Sequence, residues 1–387
     1  MIRKRRAVVC TAALSAAVTA VTPATATAQA DGQADGGRAW RVADTRPHPG
    51  GDGLLAVAAS GRRNVWVFGG ADSEDGPTRP VARRWAGGAW HDVALPDEVV
   101  GSIDAADASS ARNVWAIADH GDVGPSYALR WDGRAWTVSR TWDRRFTTDV
   151  VTTGRRNVWV FGYSRAGVGA GTWHFNGKRW RKADLGDLLP ERGSAVSARD
   201  IWAVGARRLA GCGDRMVAHY DGESWSEVPT GDALPPDVPQ PEEGGPYQCV
   251  FLRDVLAASS KDVWVVGTVY RSWDDRSEEE PVLAHWDGRT WRHEHIPGGW
   301  LPRRLASDGR GGLWVAGWSL WDGPTPDATP LMHRAPNGTW RTTPIDAGDR
   351  AGRIVELGHV PGTRRVWGVG QVETPDESFD GAIFRYR

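Results

Sequence analysis

Residues 263–267 read Val263-Trp264-Val265-Val266-Gly267, and residues 286–291 read Trp286-Asp287-Gly288-Arg289-Thr290-Trp291. The first segment puts apolar side chains on both alternating positions of a short run and closes on glycine, as a strand buried on both faces requires. In the second, Asp-Gly supplies the positive φ of a tight hairpin turn, and the flanking tryptophans fall on one face of the paired strands. Both motifs recur. The first stands at Val65-Trp66, Val114-Trp115, Val158-Trp159, Ile201-Trp202, Val263-Trp264, Leu313-Trp314 and Val366-Trp367, seven times at spacings of 49, 44, 43, 62, 50 and 53. The second is complete at Trp131 to Trp136 and at Trp286 to Trp291, and variants end at Trp40, Trp90, Trp180, Trp225 and Trp340, which makes seven again.

Asn64, Asn113, Asn157, Asp200 and Asp262 precede the first motif and are turn formers, so an earlier strand is expected in each unit, as in Leu54 to Ala59 or Val250 to Ala258. Each unit therefore holds four strands, and seven such units predict an all-β, seven-bladed β-propeller. The chain stops at Phe384-Arg385-Tyr386-Arg387, where the third strand of the last unit ends, and Gly36-Gly37-Arg38-Ala39-Trp40 supplies a fourth. The N-terminal strand is thus expected to complete the last blade and close the ring, removing the sheet edges that an open array would expose.

The pattern D-V-W-x-V-G followed by H-W-D-G-x-x-W resembles the exported bacterial propeller-repeat proteins described as kelch-like or galactose-oxidase-like, over residues 36–387. The resemblance implies the fold; such propellers host binding proteins and enzymes alike. The double glycine of kelch repeats is absent. Gly-x-x-Trp is also similar to the Asp-box of sialidase propellers, but the Asp stands one residue too close to the Trp. Copper oxidases of this fold class use a Tyr–Cys crosslink, for which neither mature cysteine is expected to be available, and no cofactor is expected.

The chain opens Met1-Ile2-Arg3-Lys4-Arg5-Arg6, continues through a small, apolar run from Ala7 to Val21 and reaches Ala28-Gln29-Ala30. A basic start, an apolar middle and an A-x-A end predict an export signal over residues 1–30 and a secreted, extracellular propeller over residues 31–387. Arg5-Arg6 leaves a twin-arginine route open. Removing residues 1–30 takes away four basic residues and no acid, so 47 basic against 48 acidic becomes 43 against 48, a net −5. That balance argues against bulk nucleic-acid binding. No segment is apolar enough to predict a membrane span, and a monomer is expected. The two cysteines of the exported chain, Cys212 and Cys249, read as a disulfide.

His174, His219, His285 and His333 keep step with the repeat and read as architectural, and no histidine has partners at a metal-ligand spacing. Turns between first and second strands, and between third and fourth, share one face. This turn face carries Arg63, Arg112, Arg156, Arg199, Lys261 and Arg364 at one repeat position, expected to pair with the turn aspartates Asp132, Asp221 and Asp287 or to meet an anionic polymer. The opposite, loop face is where function is expected. The stretches Trp264–Trp291 and Trp314–Trp340 are the longest between second and third strands and read as extra loop. Tyr270, Trp273, Asp274, Asp275, Trp300, Trp318, Trp321 and Asp322 are the expected ligand-binding residues, rings beside carboxylates that suit a polysaccharide, a glycoconjugate or a protein. No catalytic or metal residue is assigned. The alternative is a glycoside hydrolase or lyase using the loop carboxylates Asp274, Asp275, Glu278, Glu279 and Glu280, or the smaller group Asp72, Glu74 and Asp75.

Overall fold

Each V-W segment is the second strand of an antiparallel sheet in the computed structural model, which describes residues 38–46, 52–73, 76–120, 124–143, 147–162, 169–207, 212, 214–241, 245–274, 276–298, 300–319, 331–375 and 378–387. The export signal expected over residues 1–30 lies outside the described residues. Six sheets take four consecutive strands each: blade 1 (residues 52–92), blade 2 (102–142), blade 3 (149–182), blade 4 (189–227), blade 5 (247–294) and blade 6 (300–343). Blade 7 has three consecutive strands over residues 352–386, and the N-terminal strand Trp40–Arg46 pairs antiparallel with the last of them, from Trp40↔Tyr386 to Arg46↔Gly381. The result is a seven-bladed β-propeller with the expected closure. A two-residue strand, Ile345–Asp346, adds to the outer side of Trp40–Arg46 in parallel.

The core is a set of aromatic contacts between successive blades. Trp66 of blade 1 meets Trp131 and Trp136 of blade 2 edge-on, at ring separations of 4.9 and 5.2 Å. The same insertion of a V-W indole between the two aromatics that flank the next blade's turn recurs at Trp115 with Phe175 and Trp180, Trp159 with Tyr220 and Trp225, and Trp202 with Trp286 and Trp291. At the seam Trp314 meets Trp40 and Tyr386, and Trp367 meets Trp85 and Trp90. In blade 6 the residue before the turn is Arg334, and its guanidinium lies 4.6 Å from the Trp264 ring. Each contact adds roughly 0.5–1.5 kcal/mol beyond burial, and the indole N–H groups of five V-W tryptophans are satisfied locally. Asn64, Asn113, Asn157, Asp200 and Asp262 accept from the Nε1 of the tryptophan two residues on, at 2.7–3.1 Å. The repeat histidines lie over the same indoles, 3.9 Å for His285 on Trp264, with Nε2 2.9 Å from Asp262.

A β-bulge interrupts the first strand of six blades, between Leu54/Ala56, Ile103/Ala105, Pro190/Arg192, Leu252/Asp254, Pro302/Arg304 and Ile354/Glu356. Beside the bulge the second strand comes so close that a Cβ on its glycine would lie 1.7 Å from the Gly53 carbonyl at Gly69, and 2.3 Å from that of Phe251 at Gly267. The glycine that closes V-W-V-x-G is therefore fixed by backbone approach.

Two expectations change. The basic residues of the turn face do not pair with the turn aspartates. Asp132 and Asp221 accept backbone N–H bonds across their own turns, and Asp287 does so while pairing with Arg292 at 2.9 Å. The stems of Arg112, Arg199 and Lys261 lie instead over the turn glycines, where a Cβ on Gly133, Gly222 or Gly288 would meet them at 2.5–2.7 Å. The stretch after Trp264 is also not extra loop. It extends the hairpin in strands Asp262–Trp273 and Arg276–Trp286, paired to the tip at Trp273↔Arg276.

Trp40 is fully buried in the seam. Trp40→Ala should cost about 3–5 kcal/mol, and deletion of residues 38–46 should produce aggregation, both read by thermal unfolding and light scattering. The disulfide is formed between Cys212 and Cys249, 37 residues apart in sequence. Chain entropy sets its worth at roughly 4 kcal/mol at most, so Cys212→Ser should lower the melting temperature, and thiol titration of the oxidised, unfolded chain should find neither cysteine.

Candidate functional site

The 62-residue spacing between Trp202 and Trp264 hides a proline-rich insertion. Its prolines prevent a regular strand, and it is pinned to blade 5 by reciprocal backbone bonds between Val238 and Gln248 at 2.8 and 2.9 Å. Asp237 adds two more, accepting from the N–H of Val250 at 2.7 Å and of Arg215 at 2.9 Å. The disulfide ties the same place to blade 4, since Cys212 follows that blade's second strand and Cys249 lies in the first strand of blade 5, Tyr247–Ser259. Between the insertion and the blade lies a cleft of about 580 Å³ lined by Pro239, Gln240, Tyr247, Phe251, Tyr270 and the disulfide. Strand alternation puts Tyr247, Cys249 and Phe251 on one sheet face, and the register Cys249↔Tyr270 adds Tyr270 to it. The two tyrosine rings are 5.8 Å apart. The hydrogen bond with Tyr270 is the first cause holding the Tyr247 phenol above its ordinary range.

The expected residues are only partly brought together. Tyr270 is half-buried in the cleft wall. Trp273, also half-buried, is an odd number of residues away on the same strand and so belongs to the opposite sheet face. Asp274 is exposed at the hairpin tip with φ 49°, a turn conformation that aspartate tolerates; Asp275 lies outside the described residues. Trp300 is 5% exposed, donates to the Pro297 carbonyl at 3.0 Å and packs among Leu305, Val315 and Met332, so its ring belongs to the core. Trp318 continues the second strand of blade 6, paired with Leu301, whereas Trp321 and Asp322 lie outside the described residues. Of the acids considered for hydrolysis, Glu278 and Glu280 both hold Arg271, at 3.1 and 2.6 Å, and Glu279 stands opposite Tyr270 in the hairpin. Asp72 accepts from the Thr78 hydroxyl, and Glu74 and Asp75 lie outside the described residues.

A second concave region went unread in the sequence. The seven first strands surround a channel of about 850 Å³. Opposite the residue two past each motif tryptophan stand Ala56, Ala105, Asp149, Arg192, Asp254, Arg304 and Glu356, so blades 3 to 7 alternate acid and base. Arg304 binds Glu356 at 2.7 Å and Arg192 lies 3.8 Å from Asp149. The carboxylates also staple neighbouring blades. Asp149 accepts from Gly193 N at 2.8 Å, Asp254 from Leu305 N at 2.8 Å and, one layer further, Asp107 from Thr152 N at 2.7 Å.

Burial governs the ionisation of these groups. It raises Asp254 to about 7 against the pull of Arg304 and Arg192, and Asp107 to about 6 against the backbone N–H groups of Thr152 and Ala108. Asp104 is raised to about 7, first by desolvation among the surrounding groups and then by Asp119, although its side chain is open to the channel. Burial alone would depress Arg192, but the carboxylates around it, Asp149 foremost, reverse the shift.

No family model and no curated protein matches the chain. Among solved structures it is similar to YCF48 bound to D1 peptide, at 13% identity and a TM-score of 0.53, over 89% of this chain and 96% of that one. It is similar to an ancestral GH74 enzyme at 12% identity and a TM-score of 0.51, over 90% of this chain and 51% of that one. Sqt1 from Chaetomium thermophilum matches at 12% identity and a TM-score of 0.47, over 90% and 89%. At these identities the likeness is one of fold, and the fold serves a peptide-bound protein and an enzyme alike.

The channel acids give stability a definite pH dependence. Their folded values of about 6 to 7 exceed the unfolded 3.8, so between these limits the unfolded chain binds fewer protons than the folded one. Stability conferred by these groups therefore falls as pH rises from roughly 4 to roughly 7 and levels off above. Urea unfolding across this range should show that decline, and Asp254→Asn should flatten it. An unchanged slope in the variant would refute the assignment.

Proposed function

We propose that the protein is a secreted, non-catalytic binding propeller that takes its ligand at the loop face, with the cleft between blades 4 and 5 as the centre of the site. The reading rests on one observation: Tyr247, Phe251 and Tyr270 form an aromatic wall on one sheet face, beside the disulfide and opposite an insertion fixed by Asp237 and Val238. An aromatic wall with phenol hydroxyls at its edge suits sugar rings, which present apolar faces and hydroxyl rims. Preorganisation by the disulfide lowers the ordering cost of binding. The favoured ligand is a glycan or glycoconjugate, with a protein segment as the other ligand such a wall accepts.

Around this centre the proposed surface includes the hairpin tip with Trp273, Asp274 and Asp275, and the blade 6 stretch with Trp318, Trp321 and Asp322. Trp300 leaves the proposal because its ring is spent on the core. Glu278 and Glu280 are engaged by Arg271 on the far face and Glu279 alone shares the Tyr270 face, so among the described residues the hydrolase reading has no facing carboxylate pair in the cleft.

A glycan array probed with the exported protein, with turnover of each hit followed in parallel, tests the proposal. Tyr270→Ala should weaken the selected ligand by about 1–3 kcal/mol, the range of a well-packed aromatic anchor, and a surface change of this kind should barely move the melting temperature. Unaltered affinity in Tyr270→Ala and Tyr247→Ala would remove the site, and product formation would remove the non-catalytic assignment.

A further inference from the structure

The turn face carries a concave site that the loop-face proposal does not use. A pocket of about 490 Å³ opens where blades 6, 7 and 1 meet, lined by Arg62 of blade 1, Gly309 of blade 6, and His359, Gly362, Thr363, Arg364 and Arg365 of blade 7. It adjoins the channel, since His359 and Gly362 line both spaces. No carboxylate is among the lining residues.

The pocket is built rather than incidental. The turn after the first strand of blade 7 folds on itself, with Val360 N bonded to the Arg365 carbonyl at 2.8 Å and the Thr363 hydroxyl to the Val360 carbonyl at 2.8 Å. His359 Nε2 lies 2.7 Å from the Thr363 carbonyl, which fixes the imidazole at the inner wall. Gly309 is held so near this turn that a Cβ would lie 2.2 Å from the same carbonyl. The acid in the adjoining blade 6 turn, Asp308, is occupied by the N–H groups of Arg310 and Gly312 and by His333. Arg62, Arg364 and Arg365 are exposed and make no ion pair among the described residues. Like charges extend under the rim: burial first, then Arg365 and Arg387, depress the Arg385 guanidinium.

We infer that this pocket binds a phosphate-chain ligand, with Arg62 reaching from one blade and Arg364 and Arg365 from the next to clamp successive phosphates. Guanidinium forks match phosphate oxygens in bidentate geometry, and three of them around one concavity favour a polyvalent oxyanion over a single charge. The protein as a whole is slightly acidic, with 47 basic against 48 acidic residues, so attraction would be local to this sector rather than a property of net charge.

Titration calorimetry on the exported protein, with linear inorganic polyphosphate, inorganic phosphate and a polyuronate as probes, decides the matter. Polyphosphate should bind at least about tenfold more tightly than either other probe, and Arg364→Ala/Arg365→Ala should weaken it by at least about tenfold. The control is Arg155→Ala/Arg156→Ala, which removes two exposed arginines from the equivalent turn of blade 3, outside the pocket. It should change polyphosphate affinity by less than about twofold. Equal losses in both variants would show attraction to general surface charge and overturn the proposal, as would equal affinity for polyuronate or for single phosphate, or no binding at all. Each outcome is independent of the loop-face cleft, whose tyrosines lie in blade 5.

Discussion

The rest of the structure depends on the insertion of one indole per blade between the two side chains that flank the next blade's turn, both aromatic everywhere but at Arg334 of blade 6. A four-stranded sheet of this size cannot bury both faces alone, and the V-W tryptophan buries them jointly with its neighbour. In five blades its N–H is capped by the Asn or Asp two residues before it, at 3.0 Å for Trp202 on Asp200, so the polar atom is satisfied where the ring is buried. The histidines that keep step with the repeat extend the same unit. Their regular spacing comes from stacking on the indole, as His174 does on Trp159 at 4.3 Å, and not from chemistry.

The fold was legible because the constraint repeats. Each indole had to reappear at a fixed offset, with the turn glycine and, in five units, the capping Asn or Asp, and seven copies of the indole leave little room for another architecture. The closing glycine of the V-W run was readable as a strand end, but its cause was not, because the bulge that brings the strands together is a matter of backbone path. The expectation about the turn-face arginines failed for a related reason. Sequence offset shows that Arg112 and Asp132 share a turn, yet the carboxylate is consumed by its own backbone and the arginine stem by the glycine between them.

The candidate site was less legible. Tyr270 was found because its ring, like that of Tyr247, is surplus to the repeat, while Phe251 lies inside the expected strand Val250 to Ala258 and passes for core. Trp273 shares Tyr270's segment but not its sheet face, a distinction that follows only once the hairpin is known to stay paired to its tip. Trp300 resembles a loop aromatic in sequence and is a wedge in fact: a Cβ on Gly317 would lie 2.1 Å from its ring. The charged channel was missed because its residues share no identity. Ala, Ala, Asp, Arg, Asp, Arg and Glu align only when the strands are stacked on the motif tryptophan, after which the alternation is plain.

The strand Trp40–Arg46 is paired with residues more than three hundred positions later in the chain, whereas every other blade is made from neighbouring segments. Six blades can form from short-range hairpins as the chain emerges, but the seventh must wait for the last strand to arrive. The order of synthesis and the order of pairing disagree at this one clasp. Loop-closure entropy grows only logarithmically with length, so the penalty at equilibrium is small, yet the long-range contact is slow to find. Until it is made, the first strand and its tryptophan are a free sticky end, and the clasp is where the chain is most open to misassembly.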